Sequence, residues 1–155
     1  MALQIRPAST ADVPALVALM TAFYAEADLP LPAGPARRAF DALLADPRLG
    51  GVWLAEESGA PVGHVVLTTC FSMEYGGLGG FIDDLYVRPA ARGQGAAAGL
   101  LAAARAAAVA RGVRALHVEV GPENEVARRL YARAGYADSG HLLLSLPLAA
   151  PVHAT

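Results

Sequence analysis

The sequence predicts an α/β protein of the α+β kind: one mixed, mostly antiparallel, twisted sheet flanked by helices. Three observations lead there. The chain has 155 residues, of which 55% are apolar and 17% charged, which suits one domain with a packed core. Its early strand-like segments are joined by short turns of the hairpin kind. Two later ones are separated by a long Ala-rich helix, the pattern of a parallel crossover. The predicted order is β-α-α-β-β-β-α-β-α-β-β. No internal repeat and no dividing linker interrupts it, so residues 1–148 are read as a single domain and 149–155 as a flexible tail.

Each element has a local reason. "LQIRP" is a short strand stopped by Pro7. Val13, Leu16, Val17 and Met20 form a helical stripe, with Ser9 and Asp12 placed as a capping box ahead of it. "DLPLPAGP" reads as a Pro-rich loop, and "ARRAFDALLADP" as a helix ending before Pro47. "GVWLAEE" and "PVGHVVLTTCF" are strands around the turn "SGA". "SMEYGGLGG" reads as a flexible loop before the strand "FIDDLYV". Ten of the fifteen residues from Ala96 to Ala110 are Ala, the best helix former, and Gly112 is placed to cap that helix. "RALHVEV" is a strand, "ENEVARRLYARAG" a helix, and "YADSG" with "HLLLSLPL" are expected to close the sheet.

Composition excludes several classes. The net charge of −2 gives no reason to expect nucleic acid as a partner. No basic and apolar leader opens the chain, and the longest apolar run is Ala-rich and broken by Arg105, so neither a signal peptide nor a membrane span is expected and the cytoplasm is the default location. The single cysteine, Cys70, allows neither an internal disulfide nor a Cys-based zinc site. It is expected to be a small buried side chain, roughly 20 Å along its strand from His64. No metal site is assigned. All twelve basic residues are Arg, which removes every mechanism that needs a lysine, including the P-loop and the Schiff base.

The chemistry concentrates at "YVRPAARGQGAAAGLL". A Gly-rich turn entering a helix offers unpaired N–H groups and a partial positive charge to a phosphate. Arg88 and Arg92 add cations beside it. Gly93, Gly95 and Ala98 also fit the G-x-G-x-x-G/A pattern of a dinucleotide fold, with Glu119 in the following strand. Three features oppose that reading: "RPAAR" separates the turn from its strand, only 36 residues follow Glu119, and the preceding strands look antiparallel. The plainest alternative is a simple helix cap.

The turn has company. Arg92, Gly93, Gln94, Gly95, Ala96 and Ala97 match Q/R-x-x-G-x-G/A, and Asn124, Ala127, Leu130, Tyr131, Gly135 and Tyr136 match N-x-x-A-x-x-L/F-Y-x-x-x-G-F/Y. With the opening "IRPASTADVPAL", these segments resemble the GNAT (N-acetyltransferase) acyltransferase superfamily over nearly the whole chain. The resemblance implies the GNAT-type fold and an acyl-CoA-dependent N-acyltransferase, with acetyl-CoA as the expected co-substrate and a primary amine as acceptor. It implies that the backbone of Leu85, Tyr86 and Val87 pairs with pantetheine. The amides of Arg92, Gly93, Gln94, Gly95, Ala96 and Ala97 would hold the pyrophosphate, and Asn124 would touch the pantetheine arm. It also implies that the Tyr131 hydroxyl lies near the sulfur. The alternative is a CoA-binding sensor domain without turnover.

Direct attack by an amine needs a base, an oxyanion site and a route for the leaving thiolate. Tyr131 is the expected general acid. Asp83 and Asp84 stand together in an apolar strand where carboxylates are depleted. On a regular strand they point to opposite faces, so only one would meet the substrate. Asp83 is the expected base, as the resemblance implies, and Asp84 the group that binds the cationic amine; Glu119 and His117 are the runners-up, and surface ion pairs the plain alternative. The acceptor, a small amine or a peptide amine, is expected near Tyr24, Glu26, Asp28, Glu74 and Tyr75. A homodimer through the last strands is admitted, since "HLLLSLPL" is apolar enough for it.

Overall fold

In the computed structural model, which describes residues 2–154, five strands form one sheet in sequential order. Strands β1 (Leu3–Pro7), β2 (Gly50–Glu57), β3 (Ala60–Ser72) and β4 (Gly77–Val87) pair antiparallel, and β5 (Leu116–Val118) lies parallel to β4. Helices α1 (Val13–Ala25) and α2 (Ala33–Ala45) follow β1; α3 (Ala96–Ala110) makes the β4–β5 crossover; α4 (Glu125–Arg133) follows β5.

Local chemistry sets the joints. The Ser9 N–H donates to the Asp12 carboxylate at 2.7 Å, the capping contact anticipated ahead of α1. Arg6 on β1 donates to Asp12 at 2.8 Å and to Glu56 on β2 at 2.7 Å, pinning the start of α1 to the sheet edge. Between β2 and β3, Ser58 and Gly59 both take positive φ (50° and 79°), the geometry of a two-residue hairpin turn. Helix α3 is terminated by Gly112 (φ 77°), just past its last turn, with Val113 N–H donating to the Ala108 carbonyl and Gly112 N–H to that of Val109, which satisfies two terminal carbonyls.

The core lies on both faces of the sheet. Leu16, Leu19, Phe40, Leu54 and Tyr86 pack beneath α1 and α2. Ala55, Val65, Leu67, Leu100 and Ala104 pack beneath α3, with Leu130 and Tyr131 of α4 against them.

Four expectations change. Strand β4 starts at Gly77, so the glycines read as loop belong to a long hairpin. They are there for packing: a Cβ on Gly80 would lie 3.0 Å from a Leu116 methyl and 3.1 Å from one of Leu67. Helix α2 starts at Ala33, because a proline in a first turn sacrifices only an N–H that has no helical partner anyway. Cys70 is exposed, since it lies near the end of β3, beyond the helices that cover the core. Beyond α4, the described residues contain no further helix or strand, so the two expected closing strands are not found among them. Val152 packs against the core under α1, and the His153 ring lies 5.7 Å from that of Tyr24.

Candidate active site

The parallel pairing of β4 with β5 runs only from Gly80–Leu116 to Ile82–Val118. From Asp83 onward, among the described residues, β4 is paired on its β3 side alone. The Arg88 N–H donates to Val62 of β3, so the Val87 carbonyl faces the other way, toward the open edge. By strand alternation the N–H and C=O of Leu85 and the N–H of Val87 face that edge too, whereas those of Tyr86 belong to the β3 ladder. Tyr86 is therefore unsuited to pair an added chain through its backbone. Its ring is buried under α1, stacked 5.5 Å from Phe23.

The open edge leads to the Gly-rich turn. Gly93 and Gly95 have φ of 77° and 87°, and a Cβ on either would meet nothing within 4 Å. Both the conformation and the space favour close approach of a ligand to the backbone. Among the described residues, none of the N–H groups from Gly93 to Ala98 donates to a backbone carbonyl; the first such bond at the α3 start is from Gly99 to Gly95 at 2.9 Å. The amides of Gly93, Gln94, Gly95, Ala96 and Ala97 are thus left without backbone partners at a helix N-terminus, a geometry suited to an anion.

Arg92 departs from its expected place as a cation beside those amides. Its Nε donates to the Val87 carbonyl at 2.9 Å and its Nη2 to Glu26 at 2.6 Å, while its guanidinium lies 5.7 Å from the Tyr86 ring centre. The Tyr86 hydroxyl donates to the same Glu26 oxygen at 3.3 Å. The side chain is drawn back by a counter-charge at the end of α1. Nothing in the local sequence signals that contact, because its partners are 66 residues apart.

A cleft of about 290 Å³ opens at the splay between β4 and β5, lined by Tyr24, Phe81, Ile82, Asp83, Asp84 and Glu119. Both aspartates reach it, against the expectation of opposite faces. The β3–β4 register explains this: Val66 pairs with Asp84 and Leu67 with Ile82, so Asp83 is the extra residue of a β-bulge. Their environments differ. Asp83 is exposed, whereas Asp84 is half-buried, and burial together with the neighbouring Asp83 charge pushes its carboxyl up to about 7. Tyr24 is raised as well, by burial and by both aspartates. Of the residues expected around the acceptor, Tyr24 lines the cleft, Glu26 is tied to Arg92, and Asp28, Glu74 and Tyr75 are not in the lining.

Tyr131 projects from α4 into the packing under α3, its ring 5.6 Å from Tyr136. Burial, then Tyr136 and Asp84, push its hydroxyl up to about 12. Asn124 caps α4: its Oδ1 accepts from the Ala127 N–H at 3.1 Å, leaving the side-chain nitrogen as its ligand-directed group. His117 lies against Phe81, ring centres 5.2 Å apart, at the edge of the cleft.

A mostly antiparallel five-stranded sheet flanked by helices, with a parallel pairing at its last strand, is the fold of acetyltransferases of the GNAT kind. The chain belongs to the Acetyltransferase (GNAT) family, which matches residues 15–136. It is 35% identical over 99 residues to an uncharacterised N-acetyltransferase, YhfO, of Bacillus subtilis (strain 168), an alignment covering 62% of this chain and 66% of that one. Among solved structures it is similar to the integron cassette protein HFX_CASS3, from the mobile metagenome of Cole Harbour Salt Marsh, with 49% identity and a TM-score of 0.90 over 97% of this chain and 93% of that one. It also shares the fold of a predicted acetyltransferase from Clostridium acetobutylicum solved with acetyl-CoA, at 22% identity and a TM-score of 0.80 over 95% and 97% of the two chains. Among the described residues no helix is long and apolar enough to cross a membrane.

Proposed function

We propose that the chain moves acetyl from acetyl-CoA to a primary amine by direct attack, with Asp84 as the base. The observation that carries this reading is the run of unpaired amides from Gly93 to Ala98, adjoining an open strand edge that leads to the acidic cleft. Those amides suit the pyrophosphate of CoA. The open Leu85 and Val87 groups suit the amides of pantetheine, and the side-chain nitrogen of Asn124 can donate to the same arm.

Asp84 is better placed for the base than Asp83. A carboxyl near 7 is closer to an alkylammonium near 10.4 than an ordinary aspartate at 3.8, which lowers the cost of freeing the amine by about 4 kcal/mol. Asp83 and Glu119, on the solvent side, then hold the incoming cation. The neutral nitrogen attacks the thioester carbon, the tetrahedral oxyanion collapses, and the C–S bond breaks. Tyr131 suits this last step as a hydrogen-bond donor and not as a full acid. Moving a proton from a phenol near 12 to a thiolate near 8.5 is uphill by about 5 kcal/mol.

The test is binding of acetyl-CoA by calorimetry followed by thiol release over a panel of small and peptide amines. The lysine-free chain offers no side-chain amine of its own to add background. Failure to bind acetyl-CoA would sink the proposal; binding with no turnover on any amine would favour a CoA sensor.

A further inference from the structure

A second cavity, of about 170 Å³, opens at the sheet edge where β1 has ended and β2 continues beside β3. It shares no lining residue with the acidic cleft. It is also remote from the amides at the start of α3. Those amides precede the first turn of that helix and Arg111 of the cavity follows its last, so about 22 Å separates them. Pro7, Leu43, Leu44, Val52 and Trp53 give it apolar walls.

Arg111 is the one charged residue in the lining, and it has no counter-charge. It is half-buried, and among the described residues it makes no ion pair. Asp46, the acid next to Pro47 in the chain, is held by Arg48 at 2.8 Å. The Arg111 Nη1 donates to the Pro47 carbonyl at 3.3 Å, and the guanidinium lies 6.0 Å from the Trp53 ring centre. Its Nε and Nη2 have no acceptor among the described residues. Those two nitrogens are the fork that grips a carboxylate with two parallel hydrogen bonds.

Two glycines shape the space. A Cβ on Gly51 would lie 3.0 Å from the Trp53 ring and 3.1 Å from the Arg111 Nη2, so it would fill the gap between ring and guanidinium. The φ of Gly51 is not positive, so its backbone conformation does not demand glycine. At Gly50, the preceding carbonyl of Leu49 accepts from the Thr69 N–H of β3 at 2.9 Å. Peptide planarity then turns the Gly50 N–H away from β3, to the side where β1 has ended. Gly50 is buried, and that N–H has no acceptor among the described residues. A buried amide without an acceptor and a guanidinium without a carboxylate, on one cavity, call for the same ligand.

We propose that this cavity binds a small monocarboxylate with a flat or short apolar body. The carboxylate takes the free Nε and Nη2 of Arg111, with the Gly50 N–H as a further donor, and the body lies against Trp53. The size follows from the volume, which is about that of six waters and below the roughly 300 Å³ at which drug-sized sites begin.

The test needs neither acetyl-CoA nor an amine. Benzoate is the probe, and benzamide, of the same shape without the charge, is its control. Trp53 is the only tryptophan of the chain, so tryptophan fluorescence reads this cavity directly. Titrated into the full chain, benzoate should change that fluorescence saturably, with a Kd of about 1 mM or tighter that calorimetry reproduces. Benzamide should bind at least about 10-fold more weakly. Arg111→Gln should lose the same factor. Gly51→Ala, whose methyl enters the gap, should lose it too while still unfolding cooperatively. A wild type with no saturable response in either measurement overturns the proposal. So does benzamide binding as tightly as benzoate, or either variant binding benzoate like the wild type. Should one variant not fold, the other and the comparison of benzoate with benzamide decide.

Discussion

His64 sits wholly buried on β3, opposite Leu54 and Tyr86, with the Phe40 ring edge-on at 6.3 Å. Among the described residues, neither ring nitrogen has a hydrogen-bond partner. Burial lowers its pKa from 6.5 to about 4, so folding holds it neutral while the unfolded chain takes up a proton. The folded-state value is depressed. His64 therefore favours the fold above pH 6.5, and that contribution is lost as the pH falls toward 4. Between those limits the loss is about 3 kcal/mol, from 1.36 kcal/mol per unit over some 2.5 units. Asp84 works in the opposite direction: its folded value, about 7, lies above the ordinary 3.8, so stability rises by about 4 kcal/mol as pH falls through that window. The two nearly cancel in the wild type, whose stability should be flat between pH 7 and 4. His64→Leu removes one side of the balance. Its urea-unfolding free energy should rise by about 4 kcal/mol over the same range. Its advantage over the wild type at pH 4 should exceed that at pH 7.5 by about 3 kcal/mol. Unfolding series at half-unit pH steps measure this. An advantage that is the same at pH 7.5 and pH 4 would refute the claim that His64 is held neutral by burial.

Asp84→Asn should lower kcat by 100-fold or more, roughly the worth of a general base, and abolish the rise of rate with pH centred near 7. Asp83→Asn should keep that limb, shifted toward lower pH because the neighbouring charge is gone; stopped thiol-release assays from pH 5.5 to 9 separate the two. Tyr131→Phe should cost roughly 10-fold in kcat, with the pH profile preserved, as expected for a lost hydrogen bond of about 1–1.5 kcal/mol. Gly95→Ala should weaken acetyl-CoA binding and lower stability by about 1 kcal/mol, because the site demands φ of 87° although space for the methyl exists. Calorimetry and thermal unfolding check both halves.

Most of the scaffold was legible because its signals are local. The capping box at Ser9, the turn at Ser58–Gly59, the Ala-rich helix and the Gly-rich turn before it all depend on neighbours in sequence. The order through α4 followed from them. What escaped depends on distant partners. Gly79 and Gly80 read as loop until Cys70 and Leu116 are seen pressing on them. Arg92 read as a phosphate cation until Glu26 is found within reach. The closing strands were read from the apolar run "HLLLSLPL", but among the described residues that segment forms no strand and its leucines are exposed. In the site, the aspartate doublet was noticed as out of place in a strand. That both members reach the cleft depends on a bulge that no residue pattern announces.

That bulge has a consequence for how the site can change. Asp83 is supernumerary: the pairs on either side of it, Leu67 with Ile82 and Val66 with Asp84, are already consecutive on β3. Losing that one residue would leave a regular ladder with every other partner unchanged. The second carboxylate is thus separable from the scaffold, and the electrostatics of the cleft can be rewritten by an insertion or deletion that the sheet absorbs. Elsewhere in a strand such a length change would turn the whole apolar face to solvent.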